Sequence, residues 1–215
     1  MKLPKDRVSL AVIRRLPKYY RYLDYFIAAG VPKISSKELG AAMGLTASQI
    51  RQDLNCFGGF GQQGYGYNVS KLKGEIEYIM GINSALPAIL IGAGHLGRAL
   101  VSKANLSGRG FKIVGIFDIK DGLVDTKVGR IQVRHMDALD DFCAERKPQM
   151  AIIAVPPHEA PSIVYRLAEL GVRGFWNFAG HIDDNLPVGI VVEDMHLEDA
   201  MMTLSYRMKE NNETE

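Results

Sequence analysis

Residues 89–97 read ILIGAGHLG, an apolar run broken by Gly92, Gly94 and Gly97 at G-x-G-x-x-G spacing. Such a loop joins the first strand of a doubly wound sheet to its first helix and seats a pyrophosphate on that helix's N-terminus. Three spaced glycines alone are a weak signal, because glycines also serve turns. Two contexts strengthen it. The loop follows an apolar strand and opens a helix, and Asp118 lies 21 residues after Gly97, at the end of the next apolar strand. An acid there can accept both ribose hydroxyls of an adenosine and repel a 2′-phosphate, which favours NAD(H) over NADP(H). Ala93, His95 and Leu96 of the loop and Ile119 beside the acid belong to the same expected site, and Lys120 is read as facing solvent. Arg98 reads equally well as a pyrophosphate partner or as a surface helix arginine. Val155 and Pro156 end one later strand, and Asn177, Phe178 and Ala179 end the next. Both ends fall where ligands bind in such sheets, so these residues are expected walls for the nicotinamide side.

The loop sits far down the chain, behind roughly 80 residues of basic, helix-patterned sequence. Of 215 residues, 47% are apolar and 23% charged, an ordinary globular composition. Net charge is +2, but residues 1–72 carry +7 and residues 73–215 carry −5. The basic first third reads either as a polyanion-binding surface or as a solvated basic face. MKLPKDRVSL lacks the apolar core of a signal peptide, and no apolar run reaches the ~20 residues that span a bilayer. Two cysteines, Cys56 and Cys143, make no disulfide framework, and no Cys/His cluster has zinc spacing. The expectation is a cytoplasmic protein without membrane or metal partners.

Within the leader, residues 17–29 have helical periodicity, with Pro17 in the first turn, Tyr19, Leu23, Phe26 and Ile27 on an apolar face, and Gly30 as a C-cap. Ser35 and Glu38 have capping-box spacing, and Gly44 closes that short helix. Thr46 and Gln49 repeat the spacing, with about three residues, Gly44 to Thr46, between the two helices. Two short helices so close together read as a helix-turn-helix. A recognition helix needs small or amide side chains near its start to reach base edges, and arginines for guanine or phosphate. Ser48, Gln49, Arg51, Gln52 and Asn55 supply these on the expected outer faces, with Ala47, Ile50 and Leu54 inward. The glycine- and aromatic-rich residues 57–69 read as a β-hairpin, the wing of a winged helix, with Gln62 and Gln63 beside Gly64, where a thin backbone could enter a minor groove, and Gln63, Gly64 and Tyr65 as its DNA-binding candidates. Arg14, Arg15, Lys18 and Arg21 are candidates for phosphate or partner-subunit contacts. A small structural helical domain is the bland alternative.

Residues 70–81 read as a linking helix, with Pro87 ahead of the next strand. Strands and helices then alternate to the end, which argues for a parallel sheet with right-handed crossovers, a Rossmann-like domain. The expected architecture is α/β: a winged helix-turn-helix domain at 1–80, a Rossmann NAD(H)-binding domain at 81–195, and a final helix and tail at 196–215, with NNETE disordered. The sheet uses nearly all residues beyond the leader, leaving no substrate domain. His95 lies inside the phosphate loop, and His135, His158, His181 and His196 show no recognisable catalytic pairing, so no catalytic residue is assigned. An NAD-dependent oxidoreductase with an accessory helical domain, and a holder of another adenine nucleotide such as coenzyme A, stay open as alternatives.

The run SSKELGAAMGLTASQIRQDLNCFGGFGQQGYGYNV, followed by IGAGHLGRAL and IFDI, closely resembles the Rex family of bacterial redox-sensing transcriptional repressors. VIRRLPKYYRYL, GFWNFA and MTLSYRM extend the resemblance over nearly the whole chain. It implies a homodimer on a palindromic operator, NAD(H) in each Rossmann domain, and a C-terminal helix swapped between subunits. It implies release from DNA by NADH in competition with NAD⁺, at genes of fermentation and respiration. Arg51, Gln52, Gln63 and Gly64 take the family's DNA contacts by position, and Gly92, Gly94, Gly97 and Asp118 its cofactor contacts. Arg21, Lys103, His196 and Leu197 fall at the family's switch and dimer positions. Many members carry basic residues at Gln52 and Gln63, a tyrosine at Lys103 and an acid at His196. This chain cannot form the Tyr–Asp hydrogen bond that those last two positions imply.

Overall fold

Ser9 begins the first helix by accepting a hydrogen bond from the Val12 N–H, and α1 runs from Leu10–Ala28. The computed structural model describes residues 8–58, 60, 66–103, 106–182 and 185–212. Pro17 lies inside α1 rather than in its first turn. An interior proline removes a backbone hydrogen bond at a cost of about 3 kcal/mol. Val12, Leu16, Tyr19, Tyr20 and Leu23 form one buried stripe along the helix, and burying it outweighs that cost. Ile27, expected on the apolar face, is exposed.

Strand β1 (Lys33–Ile34) precedes α2 (Ser36–Met43) and α3 (Ala47–Asn55). The Ser35–Glu38 capping box forms in full, and Gly44 ends α2 in the left-handed conformation at φ 68°. At α3 only half of the second box forms. The Thr46 hydroxyl accepts from the Gln49 N–H at 3.1 Å, but the Gln49 side chain turns to Asp53 instead of reaching back. Strand β2 (Tyr67–Asn68) pairs antiparallel with β1, Ile34 opposite Tyr67. Most of the expected hairpin tip, with Gln63, Gly64 and Tyr65, lies outside the described residues. Asn68 caps α4 (Val69–Ile79) by accepting from the Lys71 N–H at 2.8 Å. Lys73 bonds Asp24 at 2.8 Å and the Tyr20 hydroxyl donates to Glu77 at 2.9 Å, tying α4 to α1. These elements form one unit, Met1–Ser84, around the side chains of Leu16, Tyr19, Leu23, Leu39, Ile50, Leu54, Leu72 and Ile76.

The second unit, Ala85–Glu215, is built on a seven-stranded sheet. Its elements are β3 (Leu86–Ile91), α5 (His95–Lys103), β4 (Phe111–Asp118), β5 (Lys127–Val128), β6 (Ile131–His135), α6 (Leu139–Arg146), β7 (Met150–Ile153), α7 (Ala160–Glu169), β8 (Gly174–Asn177), β9 (Val191–Asp194) and α8 (Leu197–Asn212). The strand order is β5-β6-β4-β3-β7-β8-β9, parallel except for the antiparallel edge strand β5. Without that edge strand, this is the doubly wound dinucleotide-binding order 3-2-1-4-5-6. Pro87 lies within β3, opposite Lys112, rather than ahead of it. Ile89, Ile91, Phe117, Ala151 and Ile153 pack on one face with α6 and α7. Their neighbours Leu90, Ile116 and Ile152 pack on the other face with Leu100 and Val101 of α5. Both faces are covered, so the strands read as apolar runs rather than alternations. Helix α8 extends to Asn212, so the first two residues of the NNETE tail are helical, and 213–215 lie outside the described residues.

Two helical glycines give opposite expectations for one substitution. At Gly40 in α2 a Cβ would stand 2.6 Å from the Leu45 carbonyl oxygen, whereas at Gly74 in α4 it meets nothing within 4 Å. Gly40→Ala should destabilise the chain by about 1–3 kcal/mol through overpacking. Gly74→Ala should stabilise it by about 0.5–1 kcal/mol through helix propensity. Urea denaturation of the two full-length variants checks the sign of each.

Candidate functional site

The glycine loop is shaped by backbone approaching backbone. At Gly92, φ 95°, a Cβ would sit 2.3 Å from the Ala154 carbonyl oxygen, and at Gly97 it would sit 2.0 Å from the Gly92 carbonyl oxygen. Neither position can carry a side chain. Around Gly94 there is open space within 4 Å, and Gly94, His95 and Leu96 are exposed at the start of α5. The first and third glycines thus serve the fold, while the second leaves room for a ligand. α5 begins at that room, at His95, and the free N–H groups and positive dipole end of a helix N-terminus suit a phosphate.

Asp118 ends β4 beside the loop and is 9% exposed. One carboxylate oxygen accepts from the Ala93 N–H at 2.7 Å, the other from the Lys120 N–H at 2.9 Å. Each oxygen keeps a further lone pair, so the fixed carboxylate can also accept ribose hydroxyls. A cleft of about 370 Å³ opens here, bounded by Gly92, Gly94, Asp118, Ile119, Ala154, Val155 and Pro156. Leu123, Met136 and Ile163 add an apolar wall that no sequence signal announced. They come from the loop after β4, the turn after β6 and α7, which only the sheet order brings together. Lys120, read as solvent-facing, is exposed and also borders the cleft. The size, the apolar walls and the few placed polar groups fit a nucleotide.

Arg98 is held by partners within its own unit. Its Nε donates to the Ala93 carbonyl at 2.8 Å and an Nη to the Thr126 hydroxyl at 2.6 Å, which ties the loop to the segment ahead of β5. Asn177 is fully buried at the end of β8. Its amide nitrogen donates to Asp194 and to the Gly180 carbonyl, and its oxygen accepts from the Ala179 N–H. It holds the turn through Phe178 and Ala179, with Phe178 edge-on to Trp176 at 4.7 Å. His181 faces the same Asp194 carboxylate at 3.4 Å. The backbone of Lys103 closes α5, and its side chain lies outside the described residues. His196 and Leu197 are exposed at the start of α8. Leu197, Met201, Met202, Leu204, Tyr206 and Met208 along that helix are 56–74% exposed. Among the described residues no group of three or more His, Cys, Asp and Glu side chains could hold a metal ion, and no helix is long and apolar enough to cross a membrane.

In the first unit, α3 presents Ser48, Arg51, Gln52 and Asn55 on its exposed side, with Ile50 and Leu54 buried. Arg51 also donates to the Ser36 hydroxyl at 3.2 Å. Gln49, expected outward, is half-buried with its amide donating to Asp53 at 2.9 Å. Asp53 is 1% exposed and takes two further bonds from Arg15, at 2.6 and 2.7 Å, and one from the Tyr19 hydroxyl at 2.9 Å. Burial pushes this carboxyl up, but the bonds from Arg15, Gln49 and Tyr19 together hold it below the ordinary aspartate range. Burial and the bond to Asp53 push the Tyr19 phenol well up. Of the four basic residues considered on α1, Arg15 and Lys18 are turned inward, Lys18 donating to the Met43 carbonyl at 2.7 Å. Arg14 and Arg21 are exposed.

Residues 7–55 match a family model for a DNA-binding protein N-terminus, and residues 83–181 match the CoA binding domain model. The chain is 44% identical to the redox-sensing transcriptional repressor Rex of Clostridioides difficile, over 97% of this chain and 99% of that one. It is also 44% identical to the Rex of Clostridium acetobutylicum, over 98% of each. A crystal structure of RSP in complex with β-NAD⁺ and operator DNA superposes with a TM-score of 0.88 at 44% identity, covering 97% of this chain and 95% of that one. RSP in complex with β-NADH gives 0.87 at 41% identity, covering 97% of each chain. With an exposed amide- and arginine-bearing helix in one unit, a dinucleotide loop in the other, and relatives this similar over nearly their full length, the chain belongs to the Rex family of redox-sensing transcriptional repressors.

Proposed function

We propose that this protein is a homodimeric, cytoplasmic repressor that binds palindromic operator DNA and leaves it when NADH, competing with NAD⁺, occupies its glycine loop. The observation that carries this reading is the Asp118 carboxylate, fixed beside an open Gly94 in a chain that also exposes a helix-turn-helix. Residues 1–80 read DNA, residues 81–195 hold the dinucleotide, and residues 196–215 join the subunits.

Ser48, Arg51, Gln52 and Asn55 are the base- and phosphate-reading set of α3, and Arg14 adds a phosphate contact. The wing residues Gln63, Gly64 and Tyr65 complete the interface. Gly92, Ala93, Gly94, His95, Leu96 and Gly97 receive the pyrophosphate, with Arg98 bracing the loop. Asp118 holds the adenosine ribose beside Ile119. Val155, Pro156, Asn177, Phe178 and Ala179 form the nicotinamide side, and Asn177 acts through the turn it holds. The dinucleotide is a signal, not a reactant. Hydride addition to the nicotinamide removes its positive charge, so nearby groups distinguish the two redox states electrostatically.

The apolar side chains that α8 leaves exposed support a swapped helix packed on a second copy of the chain. Arg21, Lys103, His196 and Leu197 lie at the switch and dimer positions. Lys103 and His196 depart from the family's Tyr–Asp pair, so this chain couples nucleotide state to DNA affinity through other contacts. A ligand shifts the dimer equilibrium only by its differential affinity for the two states.

Fluorescence anisotropy on a palindromic operator, with NADH titrated at fixed salt, should show affinity falling by about 5–150-fold. Unchanged affinity at saturating NADH would overturn the redox-sensing reading. Asp118→Ala should weaken NADH binding by about 10–100-fold, as loss of hydrogen bonds to a charged acceptor does, and leave the protein on its operator at high NADH. Calorimetry measures the first effect and anisotropy the second. Arg51→Ala should weaken operator binding by about 10–100-fold with NADH affinity intact.

A further inference from the structure

We propose that Arg15 and Tyr19 act through Asp53 as positioning residues of the recognition helix, and that Gln49 belongs to this buried node rather than to the side chains that read base edges. The proposal rests on the reading of α3 as the DNA-reading helix. Asp53 is 1% exposed and its carboxylate accepts four hydrogen bonds at 2.6–2.9 Å, two from Arg15 and one each from Tyr19 and Gln49. That number saturates the carboxylate. The four residues of the node, three donors and one acceptor, form two i,i+4 pairs, Arg15 with Tyr19 on α1 and Gln49 with Asp53 on α3. One turn of each helix is therefore pinned to one turn of the other.

The apolar contacts around the node cannot do this. Leu16, Leu23, Ile50 and Leu54 are buried nearby in the same core, but apolar packing is non-directional and tolerates small rolls and slides. A planar guanidinium forked onto a carboxylate does not. Roll matters at this helix. A rotation of about 20° moves a side-chain tip some 7 Å from the axis by about 2.4 Å, enough to break a hydrogen bond to a base edge. Gln49 spends its amide inside this node, so its place in the first turn of α3 is architectural. Base reading is left to Ser48, Arg51, Gln52 and Asn55, which the same node holds outward.

The test uses the full-length protein and a palindromic duplex that the wild type selects from a random library, with a scrambled duplex as reference at the same salt. Arg15→Lys keeps the charge but loses the fork, and Tyr19→Phe removes one hydroxyl and is the gentler variant if the first does not fold. Each folded variant should lose about tenfold or more in the ratio of selected to scrambled affinity, as loss of aligned base contacts does, with scrambled affinity and NADH affinity within about twofold of wild type. Gln49→Ala should relax discrimination at no single base pair more than at the others across single-base variants of the selected duplex. An unchanged ratio in Tyr19→Phe, or a parallel fall on both duplexes, overturns the positioning role. A loss of discrimination confined to one base pair in Gln49→Ala overturns the assignment of Gln49 to the node. Failure of the wild type to select any duplex would remove α3 as a base-reading helix, and the proposal with it.

Discussion

The second unit depends on one close approach, that of the Gly92 backbone to the Ala154 carbonyl oxygen where β3 and β7 lie side by side. This is the point where the doubly wound order reverses. From β3 the chain turns into α5 on one face of the sheet, and from β7 into α7 on the other. The crevice between those departures is where such sheets bind ligands. A side chain at Gly92 would drive the strands' ends apart, and one at Gly97 would push α5 off the loop. With both absent, the Ala93 N–H reaches Asp118 and fixes its carboxylate.

The first unit solves a similar problem with polar groups. Its core is apolar, but the orientation of α3 is set where Asp53 meets Arg15, Tyr19 and Gln49. An aspartate this buried is tolerated only because its charge is paired and its lone pairs are filled. Removing one partner would leave a buried charge short of a donor, which makes the node unforgiving and therefore specific. Both units thus place their outward-facing groups by a small number of close, directional contacts.

The order of elements was legible in the residues because each signal was local: the Ser35–Glu38 box, Gly44, the alternation of apolar runs and helices, the glycine loop, and Asp118 at the end of its strand. Misreadings arose where tertiary burial overrode a local rule. Pro17 reads as a helix start, yet the stripe from Val12 to Leu23 draws it into a helix interior. Pro87 reads as a boundary, yet β3 runs through it. Thr46 and Gln49 read as a capping box, yet Asp53 recruits the glutamine. The two-residue strands β1 and β5 were invisible because nothing so short carries a period.

The sequence by itself determined the class of ligand and the class of partner. Glycine spacing, a strand-end acid and helix-capping patterns are consequences of chain geometry over a few residues. Tertiary structure alone decided which of the named side chains face outward. From the sequence Arg15 and Lys18 are candidates for phosphate or a partner subunit, Gln49 for a base edge and Arg98 for a pyrophosphate or solvent, and all four bond partners inside the protein. A long polar side chain can satisfy its hydrogen bonds in water, on a ligand or on a neighbouring helix with equal chemistry. Only the packing of distant segments fixes which of these is within reach.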